Sequence, residues 1–273
     1  MSDGDGSLAV YVDEHACRAL DGILRVGAEL PVEIVHGTRT SLRRLRAAVR
    51  TVPGAVPDAA AADAALQALA LPLGEVRDAD VLAALLASEA EDLEPGPARS
   101  AAQALLEDEL RSRRRDALAA VEAAAGTGAW REGAALLEAW CRTPPSLPVP
   151  AAEEVLDRAE RKVVRRLETS GGELSRLHAA RKAAKRWRYA AELLAAAPDD
   201  APSHEHIEAA RARAEAMQDL LGGVQDLEIA HGLLTELVTA ADDGSPARTG
   251  LEQLRTRLSA RQRELIARAV ASS

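Results

Sequence analysis

Apolar and polar residues follow one another along this chain with the period of an α-helix rather than that of a strand. Leu42, Leu45 and Val49 recur at intervals of three and four positions, whereas β-branched and aromatic runs of period two are missing. Alanine, leucine, glutamate and arginine, all good helix formers, dominate nearly every segment. The pattern therefore predicts an all-α protein.

Prolines and glycines divide this pattern into segments of helical length. Such residues interrupt helices, so about eight or more helices are expected. The predicted breaks lie at 53–57, 72–74, 95–97, 126–128, 171–172, 198–202, 222–223 and 244–246. The proline-rich stretch 144–150 can form neither a helix nor a central strand. We interpret it as a linker between an N-terminal half, residues 1–143, and a C-terminal half, residues 151–273.

The two halves resemble each other in three blocks that occur in the same order. Residues 35–46 match residues 177–188 at an offset of 142, with a histidine and four cations in common. Residues 73–80 match residues 221–228, and residues 110–118 match residues 258–266, both at an offset of 148. Because repeats mark duplicated structural units, the blocks predict a tandem duplication.

The first block of each half carries a stripe of cations. On a helix one face would hold His36, Arg39, Arg43, Arg46 and Arg50, and the matching face His178, Arg181, Lys185 and Arg188, flanked by Lys182 and Arg186. No acid occurs in 34–57 or 174–191, although the chain has 43 acidic against 34 basic residues and a net charge of −9. Guanidinium groups bind phosphate oxygens in pairs, and ammonium groups add point charges. Two such stripes facing each other would form a channel for a polyanion.

Two further groups of basic residues are candidates for the same channel. The third block repeats Arg113, Arg115, Arg261 and Arg263. Acids alternate with these arginines, so a solvated charged face is the competing interpretation. The predicted helix before His178 carries Arg158, Lys162, Arg165 and Arg166, which would extend the channel at one end.

Acidic residues follow a glycine in the second block of both halves. Asp78 and Asp80 correspond to Asp226 and Glu228. Because each pair follows a glycine that can form a turn, we expect the acids in the first turn of a helix, where the macrodipole favours them. There they would orient an arginine of a stripe. The alternative is that they hold Mg²⁺ for phosphoryl chemistry.

Composition narrows the functional classes further. Aromatic residues make up only 2% of the chain, which argues against reading single strands by base stacking. Cys17 and Cys141 lie far apart in the sequence, so we expect neither a disulfide framework nor a cysteine metal site, and a reducing compartment. No signal peptide or membrane-length apolar run is present. A soluble cytoplasmic protein is expected.

The paired blocks resemble those of the CHAD family of α-helical domains. The resemblance rests on residues 35–46 and 177–189, and on the blocks at 77–80 and 220–226. It implies two four-helix bundles from a tandem duplication, related by a pseudo-twofold, with a basic channel between them. It also implies binding of inorganic polyphosphate without catalysis. The implied contacts are His36, Arg39, Arg43, Arg44 and Arg46, with His178, Arg181, Lys182, Lys185, Arg186 and Arg188. Thr40 opposite Lys182, and Ala47 opposite Tyr189, depart from a symmetric pair of stripes.

Inorganic polyphosphate is therefore the expected partner, with association at polyphosphate granules, and with protein partners there, as a further expectation. No catalytic residue, metal or cofactor is expected, nor any interaction with a membrane. Two alternatives stay open: a metal-dependent phosphohydrolase or kinase acting on polyphosphate or nucleotides, and a nucleic-acid-binding module. The first lacks a Gly-rich phosphate loop, and the acidic net charge opposes attraction to nucleic acid.

Overall fold

The computed structural model describes residues 8–27, 30–52, 54–197 and 204–272, and within these ranges nine α-helices and no strand occur. The helices are α1 (Ala9–Leu24), α2 (Val32–Thr51), α3 (Ala59–Glu91), α4 (Pro97–Ala125), α5 (Gly128–Arg142), α6 (Ala152–Glu168), α7 (Leu174–Ala195), α8 (His204–Ala240) and α9 (Pro246–Ala271). The all-α prediction is confirmed. In the same ranges, none of the helices combines the length and the apolar character needed to cross a membrane.

Local sequence signals account for several helix ends. Thr127 precedes α5 and its side-chain oxygen accepts a hydrogen bond from the Trp130 amide at 3.2 Å. Ser245 caps α9 in the same way, accepting from the Arg248 amide at 3.2 Å, and Pro246 opens the helix. Such caps satisfy amide groups that have no partner within the first turn. Residues 1–7 and the predicted break at 198–202 lie outside the described residues.

Two of the predicted breaks are wrong, because α3 continues through residues 72–74 and α8 through residues 222–223. The glycines there allow close approach rather than a turn. A Cβ on Gly223 would lie 2.9 Å from Leu265 Cδ1, and a Cβ on Gly74 would lie 3.4 Å from the Arg39 guanidinium. The expectation that the acids of the second block lie in a first helical turn is wrong for the same reason. Asp78 and Asp80 lie deep inside α3, and Asp226 and Glu228 deep inside α8.

The chain forms two compact units, each assembled from three segments. Unit 1 contains Met1–Arg77, Ala117–Val163 and Lys182–Ala216, and unit 2 contains Asp78–Asp116, Val164–Arg181 and Met217–Ser273. Each unit thus takes segments from both sides of the stretch 144–150. The division into halves at that stretch, and the pair of duplicated four-helix bundles, stay predictions.

The core of unit 1 is built around α1, α2 and α5 with the first part of α3. Leu42, Leu66 and Leu137 are fully buried in it. Two glycines let helices approach closely. A Cβ on Gly22 of α1 would overlap the Thr38 side chain of α2, and a Cβ on Gly133 of α5 would lie 2.7 Å from Leu69 Cγ. Larger residues there would force the helices apart.

Cys17 of α1 and Cys141 of α5 form a disulfide in unit 1, with their Cα atoms 5.3 Å apart. The expectation of no disulfide is therefore wrong. The sequence separation of 124 positions does not determine their distance in space, which is set by the packing of α1 on α5. The cysteine argument for a reducing compartment therefore loses its premise, which was that the two cysteines are not paired.

Unit 2 has a smaller leucine-rich core of its own. Leu86, Leu234 and Leu254 are fully buried, and they come from α3, α8 and α9. Gly250 of α9 lies so close to α4 that a Cβ would overlap the Ala98 carbonyl oxygen. Each unit is therefore packed in the same manner, with leucine layers and glycines at close helix crossings.

Candidate anion-binding site

Unit 1 contains a cavity of about 500 Å³ whose charged lining is entirely cationic. Helices α2, α6 and α7 form its wall. The cationic side chains are Arg43, Arg46, Arg50, Arg158, Lys162, Lys182, Lys185 and Arg186, and the rest of the lining is Ala47, Thr51, Val155, Ala159, Tyr189 and Ala190. Cations from both predicted stripes thus meet in one cavity.

Helix α2 delivers its arginines because its two faces have different chemistry. Leu42, Leu45 and Val49 are buried in the core of unit 1. Arg43, Arg46 and Arg50 follow the same spacing on the neighbouring face and line the cavity. Burial of the leucines therefore fixes the direction in which the arginines point.

Helices α6 and α7 supply the remaining cations by the same arrangement. On α7, Ala183, Ala184 and Trp187 are buried, while Lys182, Lys185 and Arg186 line the cavity. On α6, Leu156 and Val163 are buried and Arg158 and Lys162 line the cavity. The sequence suggested Arg158 and Lys162 as an extension of the site, and the structure places both in its wall.

The cations of unit 1 differ in how far their charge is already balanced. Arg46 Nε lies 3.0 Å from Asp63 Oδ1, and Arg50 Nη2 lies 2.7 Å from Asp63 Oδ2. Arg158 pairs with Glu154 at 2.5 Å on the surface of α6. Within the described ranges, no acid lies within ion-pair distance of Lys162, Lys182 or Arg186. These three cations are the least balanced charges of the cavity.

Arg43 has an aromatic rather than an acidic partner. Its guanidinium carbon lies 5.6 Å from the centroid of the Tyr189 ring, a cation–π arrangement across the cavity wall from α2 to α7. The ring leaves the positive charge of Arg43 intact. Tyr189 directly follows the C-terminal copy of the first sequence block. Its contact with Arg43 could not be predicted from that block, because the two residues come from different halves of the chain.

Glu192 of α7, whose side chain is 11% exposed, binds two arginines that do not line the cavity. Arg44 Nε donates to it at 2.8 Å and Arg188 Nε at 2.7 Å, and neither arginine lines the cavity. Burial tends to lower the pKa of Arg44, but the hydrogen bond and the charge of Glu192 outweigh burial and raise it. The Arg44–Glu192 pair holds α2 to α7, whereas Arg188 and Glu192 both lie on α7.

His36 lies at the surface of α2. Partial burial, followed by the charges of Arg77 and Arg39, lowers its pKa. The imidazole is therefore neutral at pH 7 in the free protein and keeps one N–H that can donate a hydrogen bond. Arg39 packs its guanidinium against Gly74 of α3. Neither residue lines the cavity.

Six of the site residues suggested by the sequence lie in unit 2, namely His178, Arg181, Arg113, Arg115, Arg261 and Arg263. His178 Nδ1 contacts Gln225 Oε1 on α8. Arg113 pairs with Glu109 at 2.6 Å and Glu236 at 3.0 Å, and Arg261 pairs with Glu89. Acids therefore neutralise Arg113 and Arg261.

The acids of the second block have other neighbours than expected. Asp80 pairs with Arg114 of α4 at 2.8 Å, an arginine outside both stripes. Gln225 Nε2 donates to Glu228 at 3.2 Å. Two cavity arginines of the first stripe are instead held by Asp63 of α3, which no sequence signal singled out. In the part of the chain that is described, no three His, Cys, Asp or Glu residues are grouped so that they could hold a metal ion.

Comparison with known proteins gives one family and two related structures. Residues 14–235 match the family model of the CHAD domain. None of the curated proteins matches the sequence. PptA from Streptomyces chartreusis superposes with a TM-score of 0.75 at 17% identity, covering 97% of this chain and 96% of that one. The CHAD domain from the plant Ricinus communis gives 0.67 at 22% identity, covering 100% and 94%. At these identities the structures establish the fold alone.

Proposed function

The chain belongs to the CHAD domain family, and on that premise we propose that its cationic cavity binds inorganic polyphosphate without catalysing a reaction. The observation that carries the proposal is the cavity lining, in which eight cations and no acid surround about 500 Å³. A polyanion is the ligand class that such a lining favours, since guanidinium and ammonium groups both bind phosphate oxygens strongly.

The unbalanced charges give a reason for tight binding. Lys162, Lys182 and Arg186 share the cavity without an acid partner among the described residues. Their mutual repulsion raises the free energy of the unliganded protein. A phosphate chain in the cavity would remove that repulsion and add charge-assisted hydrogen bonds. From Arg43 to Arg50 the wall of α2 extends about 10 Å, so several consecutive phosphates can be in contact at once.

Calorimetric titration with long-chain polyphosphate tests the proposal. We expect Lys162→Glu combined with Arg186→Glu to weaken binding by about a hundredfold or more, because two contacts become repulsive. The matched control is Arg161→Glu with Arg176→Glu, which reverses two exposed charges on the same two helices outside the cavity lining. Circular dichroism checks that all proteins are folded.

The control should bind within about threefold of the wild type, because exposed charges outside the site act weakly through solvent. Equal losses in both double variants would show that only the overall charge matters. No wild-type binding at low salt would refute the proposed function.

Selectivity for polyphosphate over nucleic acid is part of the proposal. The net charge of −9 opposes attraction to a duplex, and few aromatic residues are present to stack bases. Duplex DNA and single-stranded RNA should therefore fail to displace labelled polyphosphate at equal phosphate concentration and ionic strength. Displacement by either would instead support a general polyanion site.

The absence of catalysis is tested separately. Orthophosphate release from polyphosphate is measured with and without Mg²⁺, for the wild type and for Asp80→Asn. We expect no turnover by either protein. Metal-dependent release that is lost in Asp80→Asn while polyphosphate still binds would establish the phosphohydrolase alternative.

Association with polyphosphate granules would follow from such binding. A fluorescent fusion should co-localise with granules in cells that accumulate polyphosphate, and the Lys162→Glu, Arg186→Glu fusion should stay diffuse. Co-localisation of both fusions would assign targeting to a surface other than the cavity.

A further inference from the structure

Two arginines that line the cavity donate to the same carboxylate. Arg46 Nε lies 3.0 Å from Asp63 Oδ1, and Arg50 Nη2 lies 2.7 Å from Asp63 Oδ2. Arg46 Nη2 also donates to Gln67 Oε1 at 2.7 Å. Asp63 and Gln67 lie on α3 and do not line the cavity themselves. One side of the cavity wall thus already has an anion bound behind it.

Asp63 is an ionised carboxylate in this position. Its side chain is 21% exposed and that of Arg46 only 17%. Burial alone would raise the pKa of Asp63, but the hydrogen bonds from Arg46 and Arg50 outweigh burial and lower it. Two converging guanidinium groups offer a carboxylate the same contacts that they would offer two oxygens of a phosphate. Asp63 therefore occupies an anion position that the cavity arginines create.

We propose that Asp63 is an internal competitor of the phosphate ligand: it holds Arg46 and Arg50 in the free protein and lowers the affinity of the cavity by making a phosphate compete for them. The inference rests on the proposed function, because it concerns the same cavity. A ligand contacts the unbalanced cations first, and it gains the full charge of Arg46 and Arg50 only by displacing Asp63. The competition keeps binding reversible.

Glu192 shows what distinguishes a competitor from a structural acid. Glu192 also binds two arginines, but Arg44 and Arg188 lie outside the cavity lining, so a phosphate in the cavity does not compete for them. Both arginines of Asp63 line the cavity, and Arg50 is 47% exposed. Of these two acids, Asp63 is the one that couples its ion pairs to occupancy of the site.

The test is the affinity of Asp63→Asn for long-chain polyphosphate, measured by calorimetry over a series of salt concentrations. We expect binding about tenfold tighter than in the wild type, which corresponds to about 1.4 kcal/mol. The salt dependence should become steeper by about one unit of slope, because freed cations neutralise further phosphates. Asp63→Glu, which keeps the charge, should bind like the wild type.

Glu154→Gln is the matched control. Glu154 also pairs with a cavity arginine, Arg158, but that pair is exposed, at 68% for the acid. Its removal should change affinity by less than about twofold, because solvent already screens an exposed pair. An equal gain in affinity for Glu154→Gln and Asp63→Asn would show that only the net charge of the protein matters, and it would overturn the proposal.

A second variant keeps the inference testable should Asp63→Asn not fold. Arg50→Gln removes a cation whose charge Asp63 balances, whereas Lys182→Gln removes one without an acid partner in the described ranges. If Asp63 competes with the ligand, Arg50→Gln should lose less affinity for polyphosphate than Lys182→Gln. An equal or larger loss for Arg50→Gln overturns it.

The remaining outcomes of the Asp63→Asn titration would each refute the competition. Weaker binding would make Asp63 a residue that positions Arg46 and Arg50 for the ligand, and unchanged binding would mean that the ligand does not reach these arginines. Either result refutes competition while leaving polyphosphate binding in place. Failure of the wild type to bind polyphosphate, by contrast, refutes the proposed function itself.

Discussion

Both units of the molecule are rich in arginine, but their arginines have different partners. In unit 1, Lys162, Lys182 and Arg186 line a cavity and have no acid within ion-pair distance in the described ranges, and Arg43 lies over a tyrosine ring. In unit 2, acids hold Arg113, Arg114, Arg257 and Arg261. The number of cations in a segment therefore says little about binding. What matters is how many of them are already neutralised.

The buried acids of unit 2 explain the contrast. The side chain of Asp80 is 4% exposed and that of Glu89 is 5% exposed, and each faces arginines that remain partly in solvent. A buried carboxylate without a partner would be costly, so these arginines stabilise the fold. Lys162, Lys182 and Arg186 of unit 1 have the opposite effect, since they repel one another until an anion arrives. These three cations therefore destabilise the free protein, whereas the arginines around Asp80 and Glu89 stabilise it.

Unit 1 holds cations without an acid partner in the described ranges, so a further proton near Arg44 should destabilise it, and His15 provides the test. His15 is 4% exposed, its ring lies edge-on to Tyr11 at 4.4 Å, and Nδ1 has no hydrogen-bond partner in the described structure. Burial first, and then the charge of Arg44, lower its pKa from 6.5 to about 4.

The unfolded chain therefore binds a proton near pH 6.5, well before the folded protein does. Stability should fall as the pH drops from above 6.5 towards 4, by up to about 3 kcal/mol from this residue. Urea unfolding at pH 7.5 and 4.5 measures the loss, and His15→Gln should show correspondingly less of it. Equal losses in both proteins would mean that His15 contributes nothing to the pH dependence.

Neutralising equal numbers of cations in each unit tests the contrast directly. Arg43→Gln with Lys182→Gln should weaken polyphosphate binding about thirtyfold, or about 2 kcal/mol, because two available charges are lost. Arg113→Gln with Arg261→Gln in unit 2 should change it by less than about threefold, since acids already balance these arginines. Calorimetry at one salt concentration compares the pairs. Similar losses in both would place the unit 2 arginines in the binding site and end the contrast.

The sequence predicted the elements of unit 1 better than their partners. The apolar spacing of Leu42, Leu45 and Val49 predicted helix α2 and the face on which its arginines lie, because both depend on residues within one turn of one another. The matching stripe on α7 followed from the repeat. Local periodicity is enough for such predictions, since a helix fixes the direction of each side chain relative to its neighbours.

Partners from other elements could not be predicted. Asp63 of α3 contacts Arg46 of α2, and Glu192 contacts Arg44 at a sequence separation of 148. Cys17 of α1 pairs with Cys141 of α5. Each contact depends on how helices pack, which a single sequence does not encode in any short pattern. The same limit produced the wrong breaks at 72–74 and 222–223, where glycine serves a close helix contact rather than a turn.

Removing a buried acid of unit 2 should lower the free energy of unfolding more than removing an unpaired cation of unit 1. Glu89→Gln leaves Arg257 and Arg261 without their shared carboxylate and should cost about 1–2 kcal/mol, since both arginines can still turn to solvent. Lys182→Gln in unit 1 should cost nothing measurable, because it removes repulsion rather than an ion pair. Denaturant unfolding of both variants at pH 7 gives the comparison. A larger loss for Lys182→Gln would contradict the division of roles.

The smallest expected effect concerns salt and the free protein. Screening weakens repulsion between the unpaired cations of unit 1 more than it weakens the buried ion pairs of unit 2, because solvent ions reach only the exposed charges. Raising the salt concentration with a chloride salt should therefore stabilise the unliganded wild type by about 0.5 kcal/mol. The gain should shrink in Lys182→Gln combined with Arg186→Gln and persist in the control Arg161→Gln combined with Arg176→Gln. Thermal unfolding at two salt concentrations measures this gain in stability.

An equal response of all three proteins would mean that repulsion between the unpaired cations does not destabilise the free protein. The two units would then differ in binding and not in stability.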